Sequence, residues 1–260
     1  MVPGTESETR PMTAPERAPL GAALALLMAL VALTGAHSPA LVAVAVAVIG
    51  VLVGIAWPSL LELPSAPGTR LVVGGTGVLG AVGALLIAGR DGAVSAVIMV
   101  CAIGVFASFV HQMVRRERTR LTDSLTGTVA GVMLTGLGSC WVLAQVGAVD
   151  GGTTGLVAAI ALGLAVTLLV DATALPTALR IVLATVLGTA LTVYLAGVLA
   201  GVDPLPAAAV GLVTSVGACG AHLLLGSALM AKESAASLAV AGAPVATVGV
   251  VTLMAVNLLA

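Results

Sequence analysis

Charge is what this sequence lacks most. Only 8% of its 260 residues are Asp, Glu, Lys or Arg, whereas a water-soluble domain carries about a quarter. So few charged side chains cannot cover a surface that faces water. With 60% apolar residues and a mean hydropathy of +1.21, the composition predicts a chain whose surface faces lipid. The bias toward Ala, Val, Gly and Leu is typical of a high-GC bacterial genome.

Cysteine and aromatic residues are also scarce. The three cysteines stand at scattered positions without a C-x-x-C pair, which excludes a disulfide framework and a zinc site of that type. We therefore predict no metal and no cofactor. A net charge of −1 gives no indication of a nucleic-acid partner. Only five aromatic residues are present, so helix packing must depend on small residues such as the 32 glycines.

Long apolar runs fill the chain from about residue 19 onward. A membrane-spanning helix needs about 20 mostly apolar residues, whereas a spanning strand would show about ten residues of alternating polarity. The runs therefore predict an all-α polytopic bundle of about nine transmembrane helices in one domain, residues 19–260. Residues 1–18 are polar and predict a disordered tail. The nine predicted spans are 19–35, 40–57, 71–89, 92–113, 125–147, 154–171, 178–200, 206–230 and 238–259.

The basic residues predict the orientation of these spans. Lys and Arg collect on the cytoplasmic side of membrane proteins. With the N-terminus in the cytoplasm and nine spans, Arg90 alone falls outside, and the C-terminus lies outside as well. A span added or lost midway would scatter the charges, so the charge pattern supports the count. The residues on the predicted cytoplasmic side are Arg10, Arg17, Arg70, Arg115, Arg116, Arg118, Arg120, Arg180 and Lys232.

Ionisable residues within or beside the spans form the candidate site, because such groups are costly to bury in lipid. All of them map to the predicted cytoplasmic end, which favours a site open to the cytoplasm. A path through the membrane would need charges or broken helices near the midplane. For His222 alone, a hydrogen-bonded packing role is the simpler interpretation. The candidates are His111, Asp123, Asp171, His222, Lys232 and Glu233.

Four arginines, Arg115, Arg116, Arg118 and Arg120, make the strongest charge feature of the chain. At a membrane surface each can attract an anionic lipid head group with about 1 kcal/mol. They could also hold the phosphates of a substrate. The simplest interpretation is a loop that only sets the orientation of the chain.

Two glycine patterns have more than one interpretation. The run from Gly75 to Gly80 matches the dinucleotide fingerprint G-x-G-x-x-G, but no strand precedes it, so we interpret it as a set of packing glycines. The Gly127-x-x-x-Gly131 spacing allows close approach of a second helix. That helix could belong to the same chain or to a second copy.

Three segments resemble the phosphatidate cytidylyltransferase (CDP-diacylglycerol synthase) family over about half of the chain. Asp123-Ser-Leu-Thr-Gly-Thr-Val is similar to the family's helix entry after a basic loop, and Leu169-Val-Asp-Ala-Thr-Ala to its D-T-G-A. Leu225-Gly-Ser-Ala-Leu, leading to Lys232-Glu-Ser, falls where the family has G-D-L-x-E-S. Its S-P-K-K-T-W-E-G segment and its closing P-G-H-G-G and D-R-x-D signature are missing. The resemblance therefore implies a relative without the carboxylates that bind catalytic metals.

Three functions follow as hypotheses. The first is a non-catalytic accessory or scaffold subunit of the bacterial cytoplasmic membrane that contacts lipid, anionic lipid in particular, or another membrane protein. The second is a transporter or permease for a small solute or a lipid, in which Asp171 and His222 line a path. The third is a lipid-head-group enzyme that uses His111, Asp123, Asp171 and the arginines. Convergence of these groups would favour the enzyme hypothesis. A cavity that reaches the membrane midplane would favour the permease, and close packing throughout would favour the accessory subunit.

Overall fold

Helices make up all the regular structure in the part of the chain that the computed structural model describes, residues 14–34, 38–87, 92–115, 119–228 and 236–259. α5 and α6 are continuous apart from Ser139 and form one segment, so nine segments are present there. The predicted all-α, nine-helix bundle is confirmed. The helices are α1 (Ala14–Thr34), α2 (Pro39–Leu60), α3 (Ala66–Ile87), α4 (Ala93–Val114), α5 (Leu121–Gly138), α6 (Cys140–Asp150), α7 (Thr154–Asp171), α8 (Thr177–Ala200), α9 (Pro204–Ala228) and α10 (Ala236–Leu259).

Eight of these segments are long and apolar enough to cross a bilayer, and the apolar part of α1, Leu20–Thr34, is shorter. The chain is therefore a multi-pass membrane protein, because a helix satisfies its backbone polar groups internally and can lie in lipid. Proline and glycine set several boundaries. Pro39 and Pro204 stand at the first positions of their helices, where a missing N–H is harmless, and Gly201 ends α8 with a φ of +65°.

Some boundaries differ from the predicted spans. α1 begins at Ala14, inside the stretch predicted as a tail, of which residues 1–13 lie outside the described residues. α3 begins at Ala66 rather than at residue 71. The predicted span was defined by its apolar run, which starts only after the more polar first turn of the helix. In the fifth segment a single turn residue, Ser139, separates α5 from α6, and its N–H donates to Gly136 O at 3.0 Å.

The helices form two groups with α10 between them. In the first group α3 and α5 each pack against α2, α4 and one another. In the second group α7, α8 and α9 pack against one another, and α1 packs on α7. α10 contacts members of both groups and is the most buried span, whereas α4, α8 and α9 are the most exposed. The fully buried Trp141 of α6 donates through Nε1 to Val245 O of α10 at 2.7 Å. The lipid-facing periphery is therefore provided mainly by α4, α8 and α9.

Glycines set how closely α2 and α3 approach. A Cβ placed on Gly54 would lie 2.5 Å from the backbone nitrogen of Gly74, and one on Gly77 would lie 2.8 Å from Gly50 Cα. Gly77 belongs to the run that matches the dinucleotide fingerprint, so this run packs helices. Gly131 of the other pattern lies against Trp57 of the same chain. Both patterns thus make intramolecular contacts.

Candidate functional site

The ends of the helices place the described arginines together. Because successive segments run in opposite directions, the α2–α3, α4–α5 and α7–α8 connections lie at one end of the bundle, which we call the arginine end. Arg70, Arg115, Arg120 and Arg180 all lie there. Arg116, Arg118, Lys232 and Glu233 of the predicted site lie outside the described residues. That this end faces the cytoplasm stays a prediction.

The first of two polar clusters at this end consists of Asp171, Arg180 and His222, here called the α7–α9 cluster. Asp171 is the last residue of α7, and the short 172–176 connection returns the chain so that Arg180 stands in the first turn of α8. Asp171 Oδ1 lies 2.9 Å from Arg180 Nε, as an ion pair rather than an aligned hydrogen bond. Asp171 Oδ2 is bonded to His222 Nδ1 of α9. One carboxylate thus joins three helices.

Burial makes this cluster electrostatically important. The side chain of Asp171 is 1% exposed, that of Arg180 17% and that of His222 12%. A carboxylate removed from water is stable as an anion only with a compensating charge and hydrogen bonds. Arg180 supplies the charge and His222 supplies a hydrogen bond. The cluster therefore stabilises the packing of α7, α8 and α9 at the arginine end.

Hydroxyl groups continue the contact between these helices toward the membrane interior. Thr167, one turn before Asp171, lies with its Oγ1 2.9 Å from Ser215 Oγ of α9. A Cβ on Gly188 would come within 1.9 Å of Thr167 Oγ1, and one on Gly163 within 1.9 Å of Thr192 Oγ1. Protein atoms thus fill the space between the three helices at this level. The arrangement favours close packing over a water-filled path beside Asp171.

The second cluster lies around the α4–α5 connection, and we call it the arginine-loop cluster. Its members come from the α2–α3 connection, the end of α4 and the start of α5. Gln112 is buried and donates through Nε2 to Ser124 Oγ at 2.8 Å, while its Oε1 accepts a 2.8 Å bond from Arg115 Nη1. The cluster comprises Ser65, His111, Gln112, Arg115, Arg120, Asp123 and Ser124.

His111 joins this cluster to α3. Its Nε2 lies 2.7 Å from Ser65 Oγ, and its ring packs directly on Gly68, where a Cβ would collide with it. Arg115 follows His111 by four residues, about one helical turn further along the chain. The end of α4 is therefore anchored to the start of α3 by a specific side-chain contact.

Asp123, in the first turn of α5, forms an ion pair with Arg120, the residue before this helix. Its Oδ2 lies 3.1 Å from Arg120 Nε, and both side chains are more than half exposed, at 59% and 54%. Arg120 adopts a φ of +48° and also donates through Nη1 to Glu62 O at 3.2 Å. Such an exposed pair contributes about 1 kcal/mol or less. Among the described residues, Arg115 has no carboxylate partner of this kind.

The described members of the predicted site therefore belong to two separate clusters. His111, Asp123, Arg115 and Arg120 belong to the arginine-loop cluster, while Asp171 and His222 belong to the α7–α9 cluster. Within the described ranges, no group of three or more His, Cys, Asp or Glu side chains is placed to hold a metal ion. The two carboxylates already have cationic partners, so this arrangement does not favour the enzyme hypothesis.

Sequence reasoning missed four of the residues that build these clusters. Arg180 was used only to predict orientation, although it follows Asp171 by nine residues across a proline-containing turn. The other three, Ser65, Gln112 and Ser124, carry no charge and were not recognised as site residues. Gln112 could have been found, because it is a polar residue near the end of an otherwise apolar span.

Comparison with protein-family models, with curated proteins and with solved structures gave no match. The resemblance to phosphatidate cytidylyltransferases is therefore untested and stays a prediction. Two of its segments can be located: Asp123 pairs with Arg120, and Asp171 lies between Arg180 and His222. The functional interpretation thus depends on the geometry of the two clusters.

Proposed function

We propose that the protein is a non-catalytic accessory or scaffold subunit of the bacterial cytoplasmic membrane that binds anionic lipid at its arginine-loop cluster. The observation that carries this proposal is the position of Arg115. Its guanidinium is oriented by the buried Gln112 and lies at the end of α4, one of the most lipid-exposed spans. A cation held there lies at the depth of the lipid head groups.

Neighbouring residues support this interpretation. Met113 and Val114, directly before Arg115, are strongly exposed and lie on the apolar surface of the span. Arginine binds phosphate oxygens through two parallel hydrogen bonds, so a head group can be recognised as well as attracted. Asp123 and Asp171 are engaged by cationic partners, which supports a binding role over catalysis.

A proton-coupled permease is the second candidate, and the α7–α9 cluster favours it. Ionisable groups buried in membrane proteins commonly mark a proton or ion path. In this case Asp171→Asn would abolish proton uptake into proteoliposomes that contain the purified protein. Uptake by the unaltered protein would be the evidence for this alternative, and the close packing at Gly163 and Gly188 is the evidence against it.

Arg115→Ala is expected to weaken binding of phosphatidylglycerol about five-fold, which corresponds to the roughly 1 kcal/mol contributed by one arginine near a membrane surface. The measurement is native mass spectrometry of the protein titrated with phosphatidylglycerol in mild detergent. Arg70→Ala is the matched control, since it removes the same charge at the same end but at a guanidinium bonded to Ile55 O. Equal losses in both variants would contradict a site at Arg115, as would no loss in either.

Orientation can be tested with single cysteines. Ala174 and Asp203 are exposed in the α7–α8 and α8–α9 connections, at opposite ends of the bundle, and the three native cysteines are buried. In a background without native cysteines, Asp203→Cys is expected to react with an impermeant maleimide on intact cells. Ala174→Cys is expected to react only after lysis. The reverse pattern would overturn the predicted N-inside orientation.

A further inference from the structure

A groove runs along the outer side of the α3–α4 contact. Its cavity volume is about 190 Å³, and its lining includes Leu71, Leu79, Val100 and Ile103. A 150 Å³ apolar cavity is already large enough to hold a benzene molecule. The one hydroxyl among the lining residues, on Thr76, donates to Val72 O at 2.8 Å. The groove is therefore effectively apolar.

The open side of the groove faces the membrane. Leu71, Leu79 and Ile103 are exposed, and no heavy atom lies within 4 Å of a Cβ built on Gly75. Both helices are membrane spans, so lipid is the medium that covers this face.

The polar end of the groove matches a lipid head group. Side chains one turn apart lie on one face of a helix, so the face of α4 that lines the groove at Ala107 continues to His111. There the His111 ring packs on Gly68 and bonds to Ser65, with Arg115 beyond. An apolar slot thus leads to hydrogen-bonding groups and then to a cation without a carboxylate partner among the described residues.

We propose that this groove holds one acyl chain of an anionic phospholipid whose phosphate lies against Arg115 and the Ser65–His111 pair. The inference rests on the proposed function and deepens it by naming the ligand class and the position of its chain. Phosphate and apolar chain are recognised at adjacent places on the same two helices. The site is selective because only a molecule that carries both an anionic head group and an acyl chain can occupy the two places at once.

Gly75→Leu tests the groove directly. Gly75 lines the groove, and the Cβ of the new side chain starts in open space. Gly217→Leu is the matched control, because Gly217, on α9, is likewise a helical glycine with open space at its Cβ. The probe is phosphatidylglycerol with a photoactivatable acyl chain, in vesicles of phosphatidylglycerol and phosphatidylcholine. Peptides that crosslink to the chain are then identified.

Crosslinks to α3 and α4 are expected in the unaltered protein and in the Gly217→Leu variant. In Gly75→Leu they should fall at least about five-fold, because the chain loses its packing contacts outright. Equal crosslinking in both leucine variants, or crosslinks to other helices, would overturn the groove inference. If Arg115→Ala still loses phosphatidylglycerol in that case, the proposed function stands. Crosslinking of phosphatidylcholine to the same peptides at equal yield would overturn the selectivity for an anionic lipid.

Discussion

Asp171→Asn is expected to lower the free energy of unfolding by about 3 kcal/mol or more, because removal of one partner leaves a buried charge uncompensated. Arg180 would then stand beside a neutral amide, with its side chain only 17% exposed. His222 would also lose its bond to a carboxylate. The three helices joined by this carboxylate would separate more easily at the arginine end. The measurement is an unfolding titration in mixed micelles of mild detergent and sodium dodecyl sulfate, with helicity as the signal.

Asp123→Asn is the matched control for this prediction. It removes the same charge from a pair in which both side chains are more than half exposed. The expected loss is below about 1 kcal/mol, since water already solvates the partners. A second test is the double variant with Arg180→Gln, in which the loss should be smaller than the sum of the single losses. Strict additivity would show that Asp171 and Arg180 do not stabilise one another.

Gly54→Ala is expected to destabilise the protein by about 2 kcal/mol, a value typical of overpacking in a close contact. The added methyl group would meet the backbone of Gly74, which cannot rotate away as a side chain can. α2 and α3 must therefore move apart along their whole crossing. The same unfolding measurement, together with the midpoint temperature of thermal aggregation, reports the change.

Gly75→Ala provides the comparison within α3. No heavy atom lies within 4 Å of the new Cβ, and alanine favours a helix over glycine by about 1 kcal/mol. This variant should be as stable as the unaltered protein or slightly more stable. If Gly54→Ala behaved in the same way, the close α2–α3 crossing would be wrong.

The two clusters illustrate different ways in which polar residues are used at a membrane surface. In the α7–α9 cluster, the carboxylate, guanidinium and imidazole satisfy one another and fix three helices. The arginine-loop cluster leaves one guanidinium that Gln112 orients without neutralising. An anionic ligand can pair with Arg115 in the arginine-loop cluster. In the α7–α9 cluster Arg180 is already paired with Asp171. For this reason we assign lipid binding to Arg115 and structural stability to Asp171.

The sequence by itself determined the class of fold and the number of segments. Lipid leaves so few options for backbone polar groups that length and hydropathy alone identify spanning helices. The sequence also identified Asp171, His222 and His111 as ionisable groups within or beside the spans. The described arginines also lie at one end, as the charge pattern predicted. All of these properties depend on local sequence.

Only the tertiary structure decided which of these groups meet. Asp171 and His222 stand 51 residues apart, and Ser65 and His111 stand 46 apart. Nearly uniform apolar helices carry little information about their neighbours, since all faces are compatible with lipid. Partner choice depends instead on shape, such as Gly54 against Gly74 or the His111 ring on Gly68. The division into two clusters and the groove beside Gly75 arise from that packing, which no linear pattern of hydropathy or charge encodes.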